Sequence, residues 1–373
     1  MKNTFGTSIA VTLFGESHGA YIGAVLDGLA PGIGIDEAYI ASQLSKRRPA
    51  GKISTARHEQ DRFEIVSGVY NGRTTGTPLT ILIRNEDTKS KDYAATRALA
   101  RPGHADYTAN IKYHGFEDYR GGGHFSGRIT AALVAAGAIV LSALEKKGIV
   151  IGTHIRALGK ITDRDFADVA EDIKSLNAMD FAALDEEKAQ QMRSEIEKAA
   201  KDGDSVGGVL ETAILGTPAG VGEPWFDTVE GILSHALFSI PAVKGVEFGR
   251  AFENSMLRGS AYNDSFYISD KEIRTTTNHN GGVNGGITNA MPILFSCTVK
   301  PTPSIYKEQN TVDFLEKKNA VLSLKGRHDP CILHRARVVV DSVAALCIAD
   351  LLAQRYGTDW LADNEELETK KTT

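Results

Sequence analysis

The sequence predicts a single α+β domain, and three observations carry that expectation. No Ser- or Pro-rich linker and no fixed-period repeat divides the 373 residues, although a chain of this length has room for two domains of ~100–200 residues each. The predicted strands and helices do not alternate in the regular manner of a doubly wound parallel sheet. Three segments that set proton-handling side chains beside glycines draw on both ends of the chain: Gly15-Glu16-Ser17-His18-Gly19, Arg101-Pro102-Gly103-His104-Ala105-Asp106 and Gly326-Arg327-His328-Asp329-Pro330-Cys331. A composite site built from all three requires one folded unit over residues 1–373, with the charged stretch 363–373 as a mobile tail.

In chain order, residues 8–14 and 21–26 read as strands, with the Gly15–Gly19 turn between them. Asp36 is placed to cap a short helix that shows Tyr39, Ile40 and Leu44 on one face and stops before Pro49. Residues 63–70 and 79–83 read as paired strands with Asn71-Gly72 in their connection. Residues 128–147 have the clearest helical periodicity: Leu133, Ala136, Val140 and Leu144 recur at helical spacing and Gly148 supplies a stop. The alanines of this helix and its Gly137 imply close packing on several sides. Residues 149–155 return to a strand pattern. From 162 to 204 the composition turns acidic and polar, with Ile173, Leu176, Phe181 and Leu184 recurring, which reads as surface helices without chemistry. Residues 209–215 are a strand, 229–238 a helix, and 338–352 a long apolar helix ending near Gly357.

Composition narrows the class. With 42% hydrophobic and 24% charged residues the chain is an ordinary soluble protein, and a core of this size needs neither disulfide nor metal. Cys297, Cys331 and Cys347 are odd in number and lack metal-ligand spacing, so they read as reduced, buried thiols of a cytoplasmic protein. Met1-Lys2-Asn3 leads into Thr4-Phe5-Gly6 and not into a continuous apolar core, so no signal peptide is expected. The apolar stretch 129–144 falls short of the ~20 residues of a membrane span. A net charge of −5 speaks against generic nucleic-acid binding. Yet Lys46, Arg47, Arg48, Lys52, Arg57 and Arg62 crowd one region, which suits a small anionic ligand.

His18 lies in a tight connection beside Glu16 and Ser17, and an imidazole there can give or take a proton near neutral pH; the bland alternative is a turn-capping histidine. His104 follows the stiff and then bent Pro102-Gly103, with the fixed charge of Arg101 nearby. Asp106 either orients that ring or caps the next helix, and capping is the simpler reading. Arg120-Gly121-Gly122-Gly123-His124-Phe125-Ser126-Gly127-Arg128 runs straight into the periodic helix, so its bare N–H groups and the helix end form an anion cradle. The spacing is not that of a P-loop. Asn278 to Gly286 offers a second glycine-bared surface for a flat ligand, and Lys300-Pro301-Thr302-Pro303-Ser304 an ammonium and hydroxyls on a stiff extended stretch. Arg327 is suited to bidentate anion binding, and His328 reads as a structural partner.

These segments, in this order and spacing, closely resemble the chorismate synthase family, from about Phe5 to about Gly357. Phe14 to Gly19, Arg101 to Tyr107, Asp118 to Gly123, Ala242-Val243-Lys244-Gly245-Val246-Glu247 and Gly326 to Cys331 carry the match. The resemblance implies a β-α-β sandwich, with long helices between two antiparallel sheets, assembled as a homotetramer. It implies a lyase that removes phosphate from 5-enolpyruvylshikimate-3-phosphate to give chorismate, the last common step of aromatic amino acid biosynthesis, with reduced FMN and with NADPH as a possible reductant. By similarity, His18 acts near the departing phosphate, His104 serves the flavin around N1, and Ser17 with Asp329 relays a proton. Flavin contacts carry over to His124, Phe125, Ser126, Pro241, Ala242, Gly285, Lys300 through Ser304 and Arg327. Arg47 matches the arginine assigned to NADPH or anion binding, and the next basic position falls at Lys52 across a one-residue gap. Arg48, Arg57, Arg101 and Arg128 complete the cationic set for substrate or NADP. Many members carry Arg-Ser-Ser where this chain has His124-Phe125-Ser126, and Asn in place of Pro241; the first change removes a permanent charge.

Two other classes share parts of this pattern. A metal-dependent hydrolase is suggested by His104-Ala105-Asp106 and His328-Asp329, but no closely spaced histidine pair supports it, and no metal site is expected. A non-catalytic flavin- or anion-binding protein predicts FMN binding without phosphate release.

Overall fold

The computed structural model describes residues 2–49, 51–54, 60–86, 97–324 and 328–362. The expected tail at 363–373 lies outside them, as do Arg57, Gly326, Arg327 and the side chain of Lys52. Two five-stranded antiparallel sheets form the outer layers. The first is ordered Thr4–Phe5, Ala10–Gly15, Tyr21–Asp27, Leu79–Arg84, Phe63–Ser67. The second is ordered Val243–Phe248, Ile293–Val299, Gly208–Leu215, Val150–Leu158, Ile161–Thr162. Between them lie two helices, Thr130–Lys146 against the first sheet and Leu333–Tyr356 against the second, packed on each other. The architecture is the expected α+β sandwich.

Residue chemistry explains the layering. Leu79, Ile81 and Ile83 are fully buried and alternate with half-buried Thr80 and Leu82, the period-two pattern of a strand with one face on the core. The helix Thr130–Lys146 buries 13 of its 17 residues, all round and not on one stripe, as a helix between two layers must. Counted from Gly127 it is long and apolar enough to cross a membrane, but 83% of its most apolar window is buried inside the protein, so it is the core helix. A Cβ on Gly137 would stand 2.3 Å from the Ser342 Cβ, so the missing side chain lets the two central helices touch. All three cysteines are free and buried.

Several boundaries differ from expectation for identifiable reasons. Strand pairing begins at Ala10 and not at residue 8, because the N–H groups of Thr7, Ser8 and Ile9 donate to the Asp350 carboxylate at 3.0, 2.7 and 2.8 Å. The strand expected over 63–70 breaks after Ser67. Asn71-Gly72 turns the small hairpin of Val69–Tyr70 with Arg73–Thr74, while Phe63–Ser67 pairs with Leu79–Arg84. The last helix begins at Leu333, ahead of the apolar run, and its wholly buried Arg337 donates to the Met179 carbonyl.

The acidic stretch forms helices Val169–Ala178 and Glu186–Lys201, capped by Asp168 and Asp185. Ile173 packs on Gly152 of the second sheet. Beneath them the fully buried His154 bridges Asp163 (Nδ1 to Oδ2, 2.9 Å) and Glu211 (Nε2 to Oε2, 2.8 Å). Burial opposes the charged ring, but the bonds to Asp163 and Glu211 outweigh it and hold the His154 pKa above its usual value.

Candidate active site

The strand Ala10–Gly15 ends in a turn closed by Gly19 N–H donating to the Glu16 carbonyl at 3.0 Å. Asn85 braces this turn, its Nδ2 donating to the carbonyls of Glu16 (3.0 Å) and Gly19 (2.8 Å). Ser17 is fully buried, and its N–H donates to the Gly123 carbonyl at 3.1 Å. No described residue hydrogen-bonds its Oγ. His18, 9% exposed, lies against Gly121: a Cβ there would be 2.5 Å from the His18 ring and 2.8 Å from Ser17 Oγ. The next residue, Gly122, faces His104, whose Cε1 and Nε2 lie 3.3 and 3.4 Å from its would-be Cβ. Histidines 86 positions apart in sequence thus meet on successive glycines, which hold φ of +59° and +84°.

His124 Nδ1 donates to the Gly15 carbonyl at 2.7 Å, pinning the glycine run to the strand end. A carbonyl only accepts, so this bond puts the proton on Nδ1 and leaves Nε2 bare in the neutral ring. Ser126 Oγ accepts from Arg128 N–H at 3.2 Å and caps the turn that opens the core helix.

Beyond the glycine run opens a cavity of about 910 Å³. His104, His124, Phe125 and Ser126 line it from one side, and Pro241, Ala242, Lys300, Thr302, Pro303 and Ser304 from another. Lys300 Nζ donates to the Gly103 carbonyl, and Lys300 N–H to the Ala242 carbonyl at 3.0 Å, which ties these segments together. Thr302 Oγ1 is buried with no described partner. Asp329 completes the wall, its Oδ2 accepting from Arg335 Nη1 at 2.5 Å, and Arg335 Nε donates to the Arg47 carbonyl at 2.7 Å.

The cationic set divides. Arg47 and Arg128 reach the cavity, but both grip the buried Asp61, Arg47 Nη1 at 3.1 Å from Oδ2 and Arg128 on Oδ1. Arg101 is held by Asp106 and Arg120 by Asp118, each through a two-pronged bond. Arg48 donates to the Gln60 carbonyl away from the cavity. Pro301 and Gly285 do not line it; Gly285 turns the hairpin of Val283–Asn284 with Ile287–Thr288. His328 packs near Tyr306, and burial, reinforced by Arg101, holds its pKa below the usual value.

One sequence reading needs correction: Asp106 does not cap the following helix, whose N-cap is Ala105, but lies 3.0 Å from His104 Nδ1. Sequence reasoning also missed Asp61, Asn85 and Arg335. Asp61 had a signal, as an acid amid the basic stretch from Lys46 to Arg62; Asn85 and Arg335 had none.

A cavity spacious enough for a cofactor together with a small substrate, set at a glycine-rich helix start and lined by His104 and His124, is the site of an α+β enzyme. The family model described as chorismate synthase matches residues 9–353. Chorismate synthases of Korarchaeum cryptofilum and Pyrococcus abyssi are each 45% identical to this chain over 348 and 350 residues, covering 93% and 94% of it and 96% and 97% of themselves. A crystal structure of a chorismate synthase matches with a TM-score of 0.75 at 28% identity, with 94% of either chain covered. The chain belongs to the chorismate synthase family and is a lyase.

Proposed function

We propose that this protein removes phosphate from 5-enolpyruvylshikimate-3-phosphate to form chorismate, with reduced FMN bound in the 910 Å³ cavity. The observation that carries the reading is the convergence of His18, Ser17 and His104 on Gly121-Gly122: Gly121 and His104 line the cavity with Lys300 and Asp329, while His18 and Ser17, which do not line it, pack against Gly121. The lining fits a flavin nucleotide: Thr302 Oγ1 is a buried hydroxyl lacking a partner among the described residues, Lys300 brings an ammonium, and Phe125 with Pro241 and Ala242 offers apolar surface. His124, Ser126, Pro303 and Ser304 would complete the holding set, with Arg327, Gly285 and Pro301 as expected members. When bound, reduced flavin lends an electron to the allylic C–O bond and regains it as hydrogen leaves, so there is no net redox change.

The residues of the chain then have defined tasks. His18 holds a proton beside the departing phosphate oxygen, on a ring that Gly121 seats. His104, at the cavity wall, would serve the flavin around N1. Ser17 Oγ and the Asp329 carboxylate, the latter steadied by Arg335, pass a proton on the other side. The substrate's two carboxylates and phosphate account for an arginine-rich site in an acidic protein; Arg47, Arg48, Lys52, Arg57, Arg101 and Arg128 are its proposed cationic surroundings, and NADPH a possible reductant.

The decisive assay supplies reduced FMN and 5-enolpyruvylshikimate-3-phosphate without oxygen, then measures phosphate and chorismate. Folded protein that forms neither overturns the reading, and activity abolished by chelation would favour a metal-dependent hydrolase. Running it with NADPH and then dithionite separates self-reduction from supplied reductant. We further propose one functional domain in a cytoplasmic homotetramer. Exposed Trp225, Phe226, Phe252 and Met256 support subunit contacts, and light scattering gives the count.

A further inference from the structure

The chemistry open to His124 is set by a single bond. Its Nδ1 lies 2.7 Å from the Gly15 carbonyl oxygen, an atom that only accepts, so Nδ1 carries a proton whether the ring is neutral or charged. His104 is not constrained in this way, since Arg101 Nη2 and Asp106 Oδ1 both reach its Nδ1, at 3.1 and 3.0 Å. The consequence for His124 falls on the second nitrogen. Nε2 has no hydrogen-bond partner among the described residues, and the ring lines the cavity. In the neutral ring Nε2 presents a lone pair, which repels a phosphate or carboxylate oxygen; only the imidazolium puts an N–H there.

The surroundings favour an anionic oxygen at this place. His124 stands two residues before Ser126, the cap of the turn that opens the core helix, and Lys244 and Lys300 line the same cavity. Other charged neighbours are held by partners: Arg120 by Asp118 on the glycine run, Arg128 by Asp61 at the helix start, Arg101 by Asp106 and Asp329 by Arg335. Glu16 and His18 belong to the turn that follows Gly15, and His104 lies against Gly122. His18 and His104 are therefore the imidazoles to be separated from His124 in any count of protons.

We infer that His124 binds an anionic oxygen of the ligand through a protonated Nε2, so that binding at this cavity takes up a proton. The inference rests on the reading of the cavity as the flavin and substrate site. Two ligands of that reading carry such an oxygen, FMN in its phosphate and the substrate in its phosphate and carboxylates. Linkage sets the sign: the ligand selects the imidazolium, so affinity falls as pH rises, by up to about tenfold per unit for one coupled proton.

Isothermal titration calorimetry of the whole protein, in two buffers of different ionisation enthalpy, counts the protons taken up. Oxidised FMN and 5-enolpyruvylshikimate-3-phosphate are titrated separately, above about pH 7, where a phosphate ester is already doubly charged and takes up little itself. Uptake approaching one proton is expected with one of the two, and it names the ligand that meets His124. His124→Gln should abolish the uptake and weaken that ligand about tenfold, the scale of a hydrogen bond to a charged group. His124→Arg should abolish the uptake but keep the affinity, now independent of pH, because its charge is permanent. His18→Gln and His104→Gln should leave the uptake in place. Uptake that survives His124→Gln, or is lost in His18→Gln or His104→Gln, overturns the inference. Should both His124 variants fail to fold, the other two still decide: uptake kept in both supports it, and uptake lost in either rejects it. Binding without any proton uptake rejects the inference alone, whereas protein that binds neither ligand rejects the flavin and substrate reading together with it.

Discussion

Replacing Gly121, Gly122 and Gly123 by alanine, one at a time, adds the same methyl group at three consecutive places with three different consequences. All three glycines have positive φ (+59°, +84° and +53°), so each alanine carries a backbone cost of about 1–2 kcal/mol. What the methyl meets differs. At Gly123 it would lie 2.0 Å from the Asp118 carbonyl oxygen, a backbone atom that cannot swing aside. Overpacking of about 1–3 kcal/mol then adds to the backbone term, for a loss of about 2–5 kcal/mol. The Ser17 N–H, which donates to the Gly123 carbonyl, loses its anchor as well. At Gly121 the methyl meets the His18 ring at 2.5 Å and Ser17 Oγ at 2.8 Å, both side-chain ends that can rotate away. Stability should fall by only the backbone cost of about 1–2 kcal/mol. Turnover should fall about 100-fold, since displacing a reacting group by roughly an ångström has that effect. At Gly122 the nearest atoms are His104 Cε1 and Nε2 at 3.3 and 3.4 Å, contacts that relax by a few tenths of an ångström, so turnover should drop less than about tenfold. Urea unfolding followed by the fluorescence of Trp225 and Trp360 gives the stabilities, and anaerobic phosphate release gives the rates. A Gly121→Ala protein with wild-type turnover, or a Gly123→Ala protein as stable as Gly122→Ala, would refute the seating of the two histidines on this loop.

Asp61→Ala should cost about 3–5 kcal/mol in the same unfolding assay, because it leaves Arg47 and Arg128 buried without their shared carboxylate; a loss below about 1 kcal/mol would show that other groups neutralise them. Gly137→Ala should destabilise by about 1–3 kcal/mol, since the new Cβ stands 2.7 Å from the Ser342 Cα and the central helices must part; unchanged stability would contradict their close crossing. The His154 pKa is raised on folding, so its charged ring stabilises the protein fully below the unfolded value of about 6.5 and progressively less as pH climbs through the folded value. Relative to His154→Gln, the wild type should therefore lose stability as pH rises above about 6.5, and parallel stability curves would refute the bridge.

The elements were legible where hydrophobic period and packing agree. Leu133, Ala136, Val140 and Leu144 announce the core helix, and its alanines with Gly137 announce close packing on several sides, which the structure realises where Gly137 meets Ser342. Boundaries were lost where a distant polar group took over the backbone, as the Asp350 carboxylate does with the amides of residues 7–9. The start of the last helix was hidden because His334, Arg335 and Arg337 break the apolar pattern although His334 and Arg337 are buried. In the site, the glycine-flanked histidines could be read because only a close backbone approach explains such glycines. The arginines could not be sorted. A guanidinium read from sequence is equally an anion receptor or half of an internal ion pair, and only the fold reveals that Asp61, Asp106 and Asp118 hold Arg47 with Arg128, Arg101 and Arg120.

That sorting changes how an anion would be met at this site. The arginines with carboxylate partners chiefly fix the walls, whereas both central helices begin at the cavity: Gly127 to Thr130 and Leu133 from one, Ile332, Arg335 and Ala336 from the other. Their starts carry a partial positive charge that acts at short range, even where Ser126 Oγ and nearby carbonyls already take up the first N–H groups. Together with the Lys300 ammonium they give the cavity a positive character that is partly fixed in the backbone. Such a field needs no side chain to reorganise when phosphate forms, which is the condition under which preorganised dipoles contribute most to a reaction. The β-α-β layering is thus a means of aiming the starts of two helices at one place, and the turn after Gly15 and the loop at His104 are the short segments that reach across their ends.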